Sequence, residues 1–303
     1  MSSRLLNKEG FASYAIALAI ITVVALPAQG RQLFVNNPVL NKADSLVNSE
    51  KITEAETLYE GLVNEYCDSE SRNVQVCVEA NYGLISISQK NQNGERAESI
   101  AKEAETYLDR LDEYQSIYEA RLYRFWLIHS DDKNDYAEAE KWADKLSGLL
   151  DGNSDNPHLL AYIYTALGSY QDTKGNYNEA IELYEKGISY AEDIPYEDES
   201  VSLLLQATNN LGVAYKNLGM LDEAREQYSK SLEFINREYE GASNDKAIAF
   251  INIGSIYFSE GDVGQAAEYF FQASEVYRSL EGAYRDELGA SLNNLAVAYY
   301  TLG

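Results

Sequence analysis

The chain has 303 residues, 45% of them apolar, with 49 acidic against 24 basic residues and a net charge of −25. That balance excludes a nucleic-acid or anionic-lipid partner held by charge, because the chain's own field repels both. The apolar fraction suffices for a sizeable core, and only four prolines interrupt helix formation.

In chain order, the first element is a leader. Arg4 and Lys8 precede an apolar run from Phe11 to Leu26, and small residues follow at Ala28 and Gly30. Basic start, apolar core and small-residue site in that order read as a secretory signal peptide over residues 1–30. The run is 16 residues long, short of the ~20 that a spanning helix needs. Retained instead of cleaved, residues 11–26 would be an N-terminal membrane anchor. A buried first helix would show a polar face, and this run has none. With no Cys directly after it, lipid attachment is not expected. The rest of the chain is then placed outside the cytoplasm, periplasmic or extracellular, or tethered to the inner membrane.

From residue 36 onward the pattern is periodic. Alanines fall at Ala55, Ala97, Ala139, Ala180, Ala224 and Ala266, with gaps of 42, 42, 41, 44 and 42. The two irregular gaps coincide with the loop-like stretches "DGNSDNP" (151–157) and "DIPYEDES" (193–200), where changes of length are tolerated. The first period carries Ala43, Ala55 and Tyr59. Next come Cys67 and Cys77, at the two ends of the loop "DSESRNVQV". Two cysteines so placed, in a chain with an export signal, suit a disulfide stapling that loop. Zinc is not expected, since His129 and His158 are the only histidines and neither lies near the cysteines. The second and third periods carry Leu84 and Ala97, then Trp126 and Ala139. Their turn positions, with that of the first, are Gln92, Asn134 and Glu50.

Later periods are more explicit. "LGVAYKNLGMLDEA" starts at Leu211, "IGSIYFSEGDVGQA" at Ile253 and "LAVAYYTLG" at Leu295. The fifth period has Leu211, Gly212, Tyr215, Gly219, Ala224 and Tyr228, and the sixth Ile253, Gly254, Tyr257, Gly261, Ala266 and Phe270. The fourth has Leu167, Gly168, Gly175, Ala180 and Tyr184, with Gln171 where Tyr is expected. This spacing resembles the tetratricopeptide repeat (TPR), a helical hairpin with glycine at its turn. The resemblance covers residues 36–303: six full repeats and a truncated seventh. It implies an all-α, right-handed superhelix of antiparallel helix pairs. Small residues such as Gly212 would let the two helices of a hairpin meet closely at Ala224, and aromatics would fill the space between hairpins. The period exceeds the common 34 residues by about eight, and "SLNNLAVAYY" resembles the repeats of kinesin light chains. The cargo-carrying role of that family does not transfer to a chain with an export leader.

No catalytic chemistry is legible. There is no Gly-rich phosphate loop, no Ser or Cys nucleophile signature and no histidine–carboxylate metal spacing. Neither an enzyme, a cofactor nor a metal is therefore expected. The candidate binding surface is the concave face lined by the first helices. Its inward positions are Arg121 and Arg124, then Tyr162, Asn209, Lys216 and Asn293. Asn210, Asn252 and Asn294 recur at intervals of 42. Their resemblance to kinesin-light-chain positions implies a groove for an extended peptide; the other reading is that they bond neighbouring helices. Arg121 and Arg124 stand out in so acidic a chain as a site for a carboxylate, or they are simply solvated. The two-carboxylate clamp of chaperone-binding TPRs is not matched, because its Asn position holds Val213, Ser255 or Val297.

The last helix keeps Leu295, Ala296 and Tyr299, which would grip a following helix, and halts on Gly303. A capping repeat would carry charge there, so more protein is expected beyond it. The overall expectation is an exported scaffold binding a protein or peptide. Its alternatives are the sensor segment of a signalling protein, with a histidine kinase or transcription-regulator output, and the recruitment arm of a CHAT-type peptidase.

Overall fold

The computed structural model describes residues 37–48, 51–68, 73–111, 115–194, 198–238, 241–280 and 284–303. The leader and Glu50 lie outside the described residues. Among the described residues there are thirteen α-helices and no strand, and the helices pack in consecutive pairs. The all-α, helix-pair expectation holds. The described residues form two compact units, one up to Ala207 and one from Thr208 onward.

The pairs are α1 (Pro38–Asn48) with α2 (Ile52–Tyr66), α3 (Val74–Lys90) with α4 (Gly94–Glu105), and α5 (Gln115–Asp132) with α6 (Tyr136–Gly148). They continue as α7 (Pro157–Thr173) with α8 (Tyr177–Glu192), α9 (Asp198–Asn217) with α10 (Leu221–Glu238), and α11 (Asn244–Glu260) with α12 (Val263–Ser279); α13 (Arg285–Leu302) follows. Each of the six alanines is the fourth residue of a second helix, and each is 0% exposed. At that point any larger side chain would push the first helix away.

The turn inside each pair is one repeated device. In the second to sixth pairs a residue one or two places past the first helix takes a left-handed backbone: φ is 55° at Gln92, 60° at Asn134, 78° at Gly175 and Gly219, and 86° at Gly261. The next residue's N–H then bonds the carbonyl five residues back, Asn93 to Ser88 at 2.8 Å, and Asp135 to Ser130 and Asp262 to Tyr257 at 2.9 Å. That closes the carbonyl end of the first helix. The same residue opens the second helix: the side chains of Asn93, Asp135 and Asp262 accept from the amides of Arg96, Glu138 and Gln265.

The aromatic positions correct one expectation. A Cβ on Gly212 would stand 2.5 Å from the Tyr228 ring, and Gly168 and Gly254 repeat the contact with Tyr184 and Phe270 at 2.8 and 2.9 Å. The glycine therefore makes room for the ring of its own hairpin, not for the alanine. Tyr228 also clusters with Ile253 and Ile256 of the next first helix, so one ring joins two pairs.

First and second helices differ in burial. α3 is buried nearly all round, from Val76 to Ile85 and again at Ile87 and Ser88, whereas α4 buries only the stripe Ala97, Ala101 and Ala104. The first helices are the inner layer of each unit, and α1 touches α3 as α5 touches α7. Cys67, which ends α2, is bonded to Cys77 of α3, with Cα atoms 5.0 Å apart.

Candidate ligand-binding face of the first helices

In residues 24–207 the two candidate arginines lie one turn apart on α5 and have different surroundings. Arg121 is 7% exposed and holds Glu79 of α3 through two bonds, Nη1 to Oε1 at 2.7 Å and Nη2 to Oε2 at 3.3 Å. Its guanidinium also stands 4.2 Å from the Tyr82 ring centre and 5.5 Å from that of Tyr118. Burial alone would depress the guanidinium. The charge and hydrogen bonds of Glu79, with Tyr82 and Tyr118, outweigh it and hold the group above its ordinary value. Tyr82 donates its hydroxyl to the Tyr118 carbonyl at 2.6 Å, and burial raises its own titration well above the usual range. Arg121 thus carries a carboxylate from its own chain. The sequence reading had it facing a ligand; the structure places it inside a closed network.

Arg124 is 8% exposed, and its cation sits 5.5 Å from the ring centre of Tyr162 on α7. Its Nε is sealed from solvent without a hydrogen-bond partner. Tyr162 itself is half-buried. α3, α5 and α7 thus bring Glu79, Arg121, Arg124 and Tyr162 onto one stretch of the inner layer. Glu79, Tyr82 and Tyr118 were missed by sequence reasoning. The spacing held the signal for the first: Glu79 precedes Arg121 by 42 residues, one period.

In residues 208–303 the asparagines behave differently. Asn252 of α11 donates from Nδ2 to Asn209 Oδ1 of α9 at 2.7 Å, bonding neighbouring first helices. Asn210 and Asn294 are half-buried, and Asn293 is exposed. Lys216 is half-buried, and burial lowers its titration. Around α13, Leu295 packs against the sixth pair, while Tyr300 is 88% exposed. Among the described residues no group of three metal-binding side chains occurs, and no helix is long and apolar enough to cross a membrane.

Residues 203–279 and 245–303 match one family model described as "Tetratricopeptide repeat", and residues 161–194 match a second of the same description. These stretches are tetratricopeptide repeats. Among curated proteins, the photosystem I assembly protein Ycf3 of Cyanophora paradoxa is 32% identical over 92 residues, 30% of this chain. The match spans 46% of the length of that relative. Among solved structures, the STAND protein PH0952 of Pyrococcus horikoshii, described as having a tetratricopeptide repeat sensor, superposes with a TM-score of 0.64 at 14% identity. That superposition covers 98% of this chain and 44% of PH0952. A Rap protein complexed with competence and sporulation factor has a TM-score of 0.57 at 14% identity, covering 86% of this chain and 70% of its own. At such identities the likeness is one of fold, a TPR scaffold.

Proposed function

We propose that the chain is a non-enzymatic TPR scaffold that captures an extended segment of a protein partner on the polar side chains of its first helices, outside the cytoplasm. The Asn252–Asn209 bond carries this reading. It uses one donor of Asn252 and the acceptor of Asn209, which leaves the Asn252 carbonyl and the Asn209 amide as one acceptor and one donor. A main-chain peptide group needs that combination, whatever its side chain. Neither leftover group is sealed from solvent. Lys216, on the same helix as Asn209, adds a cation next to the capture face. The Rap protein named above, complexed with competence and sporulation factor, supports ligand capture by this architecture.

The export part of the reading is supported by the order of charge, apolar run and small residues in the leader. The bonded cysteines support it too, because such bonds persist in oxidising compartments. Capture outside the cytoplasm would suit the sensing segment of a larger signalling protein, and the sensor description of PH0952 favours that setting over a peptidase's recruitment arm.

The test is selection of binders to the full chain from a random-peptide display library, followed by calorimetry of a synthetic winner. Asn209→Ala and Asn252→Ala are each expected to weaken binding about tenfold, the loss of one or two hydrogen bonds, with helicity by circular dichroism unchanged. Unaltered affinity in both variants overturns the asparagine face as the capture site.

A further inference from the structure

We propose that Arg124 is a carboxylate-binding site: its ligand is a single carboxylate brought by a peptide, received on the guanidinium edge with the Tyr162 ring as its wall. The contrast with Arg121, three residues earlier on the same helix, carries the inference. Both arginines are more than nine-tenths buried, and both guanidinium groups stand over tyrosine rings. Arg121 is completed by a two-point bond to Glu79. Arg124 has the ring alone. No ion pair or hydrogen bond joins it to any described residue, and its Nε is dry and unpaired.

Burying most of an arginine strips its guanidinium of much of its water, which is costly, and contact with one aromatic face returns only a part of that. What Arg121 has and Arg124 lacks is a carboxylate. Nε is the sole Arg124 nitrogen sealed from solvent, so the Nη1–Nη2 edge remains reachable for a two-point bond of the kind that Glu79 makes. The chain carries 49 acidic residues, yet no carboxylate among the described residues reaches this cation, so the anion must come from elsewhere. The net charge of −25 then selects against polyanions, which the whole molecule repels, and favours one carboxylate on an otherwise neutral segment. A peptide's C-terminus and an isolated Asp or Glu side chain share that chemistry. The inference deepens the peptide-capture reading, but it concerns residues 24–207 and not the asparagines of residues 208–303. Each can therefore fail without the other.

The probes are three blocked tripeptides: Ac-Ala-Ala-Ala with a free C-terminus, its amide, and Ac-Ala-Glu-Ala-amide. Each is titrated into the full chain while the arginine Nε–H resonances are followed by NMR. The Arg124 signal, identified by its loss in Arg124→Gln, is expected to shift saturably with the free acid or the glutamate peptide. The amide should bind at least about tenfold more weakly, the value of a charge-assisted pair. Saturation by the free acid alone marks a C-terminus as the ligand; saturation by the glutamate peptide marks a side chain. The Arg121 signal should stay still, because Glu79 already occupies it. Should Arg124→Gln not fold, Arg124→Lys, which keeps the charge and loses the fork, is expected to bind the acid at least about fivefold more weakly. The site is overturned if no carboxylate moves the Arg124 signal, if the amide moves it equally, or if either folded variant binds the acid as wild type does. A display-selected peptide bound equally by wild type and Arg124→Gln would overturn this site and leave the asparagine face standing.

Discussion

The early pairs, residues 38–148, and the later ones, residues 157–279, reach the same hairpin by different means. The later pairs have glycine at the turn and glycine beneath the aromatic, at Gly175 and Gly168, Gly219 and Gly212, Gly261 and Gly254. The early pairs bend at Gln92 and Asn134 with no glycine at the turn. They add two cross-links between helices that the later pairs lack among the described residues: the Cys67–Cys77 bond and the buried Glu79–Arg121 pair. The alanine at the fourth position of every second helix and the carbonyl-closing bond across the turn are common to both. Those two features define the repeat; glycine is one way of serving them.

The largest effect that would break this comparison lies in the buried ion pair. Arg121→Met leaves the Glu79 carboxylate, which is 0% exposed, without its counter-charge. Loss of about 3–5 kcal/mol is expected from urea unfolding. Adding Glu79→Met should recover most of it, because the pair's desolvation cost disappears together with the charge. A double variant as unstable as the single one would mean that the pair holds α3 against α5 by more than charge compensation.

A middle-sized effect separates glycines that receive a ring from those that do not. Gly212→Ala puts a Cβ 2.5 Å from the Tyr228 ring and is expected to cost about 1–3 kcal/mol. Gly61→Ala, on an exposed stretch of α2 with nothing within 4 Å, should gain about 0.5–1 kcal/mol from helix propensity. Equal signs in thermal unfolding would remove the ring-seat account.

How much of this the sequence disclosed follows from what each residue signals by itself. Ala55 to Ala266 carried the register, because only a small side chain fits that contact and its spacing survives wherever helices of constant length stack. Gln92 and Asn134 were placed at their turns by register alone, and the structure finds both there with a left-handed backbone that their side chains do not announce. Arg121 was misplaced because charge is visible in a sequence and burial is not; only its 42-residue distance from Glu79 hinted at pairing. The seat for Tyr228 was half-read: its place between hairpins was expected and holds, but Gly212 was assigned to the contact with Ala224 and not to the ring. Arg124 and Asn252 lie on first helices, and which of their polar atoms remain unused depends on geometry alone.

The smallest effect sharpens the comparison most directly. At φ of 55°, Gln92 pays for a left-handed backbone that a residue with a Cβ adopts at a cost of roughly 1–2 kcal/mol. Gln92→Gly removes the steric part and restores some unfolded-chain entropy, so a net gain of about 0.5–1 kcal/mol is expected. The reverse change, Gly219→Gln at φ of 78°, should lose a similar amount. Asn134→Gly should gain less than Gln92→Gly, because asparagine visits this region more readily. Urea midpoints for the three variants give the order directly. If Gln92→Gly proved neutral or harmful, the Gln92 side chain would be contributing contacts that offset its strain. The early turns would then be a distinct solution and not a costlier copy of the later ones.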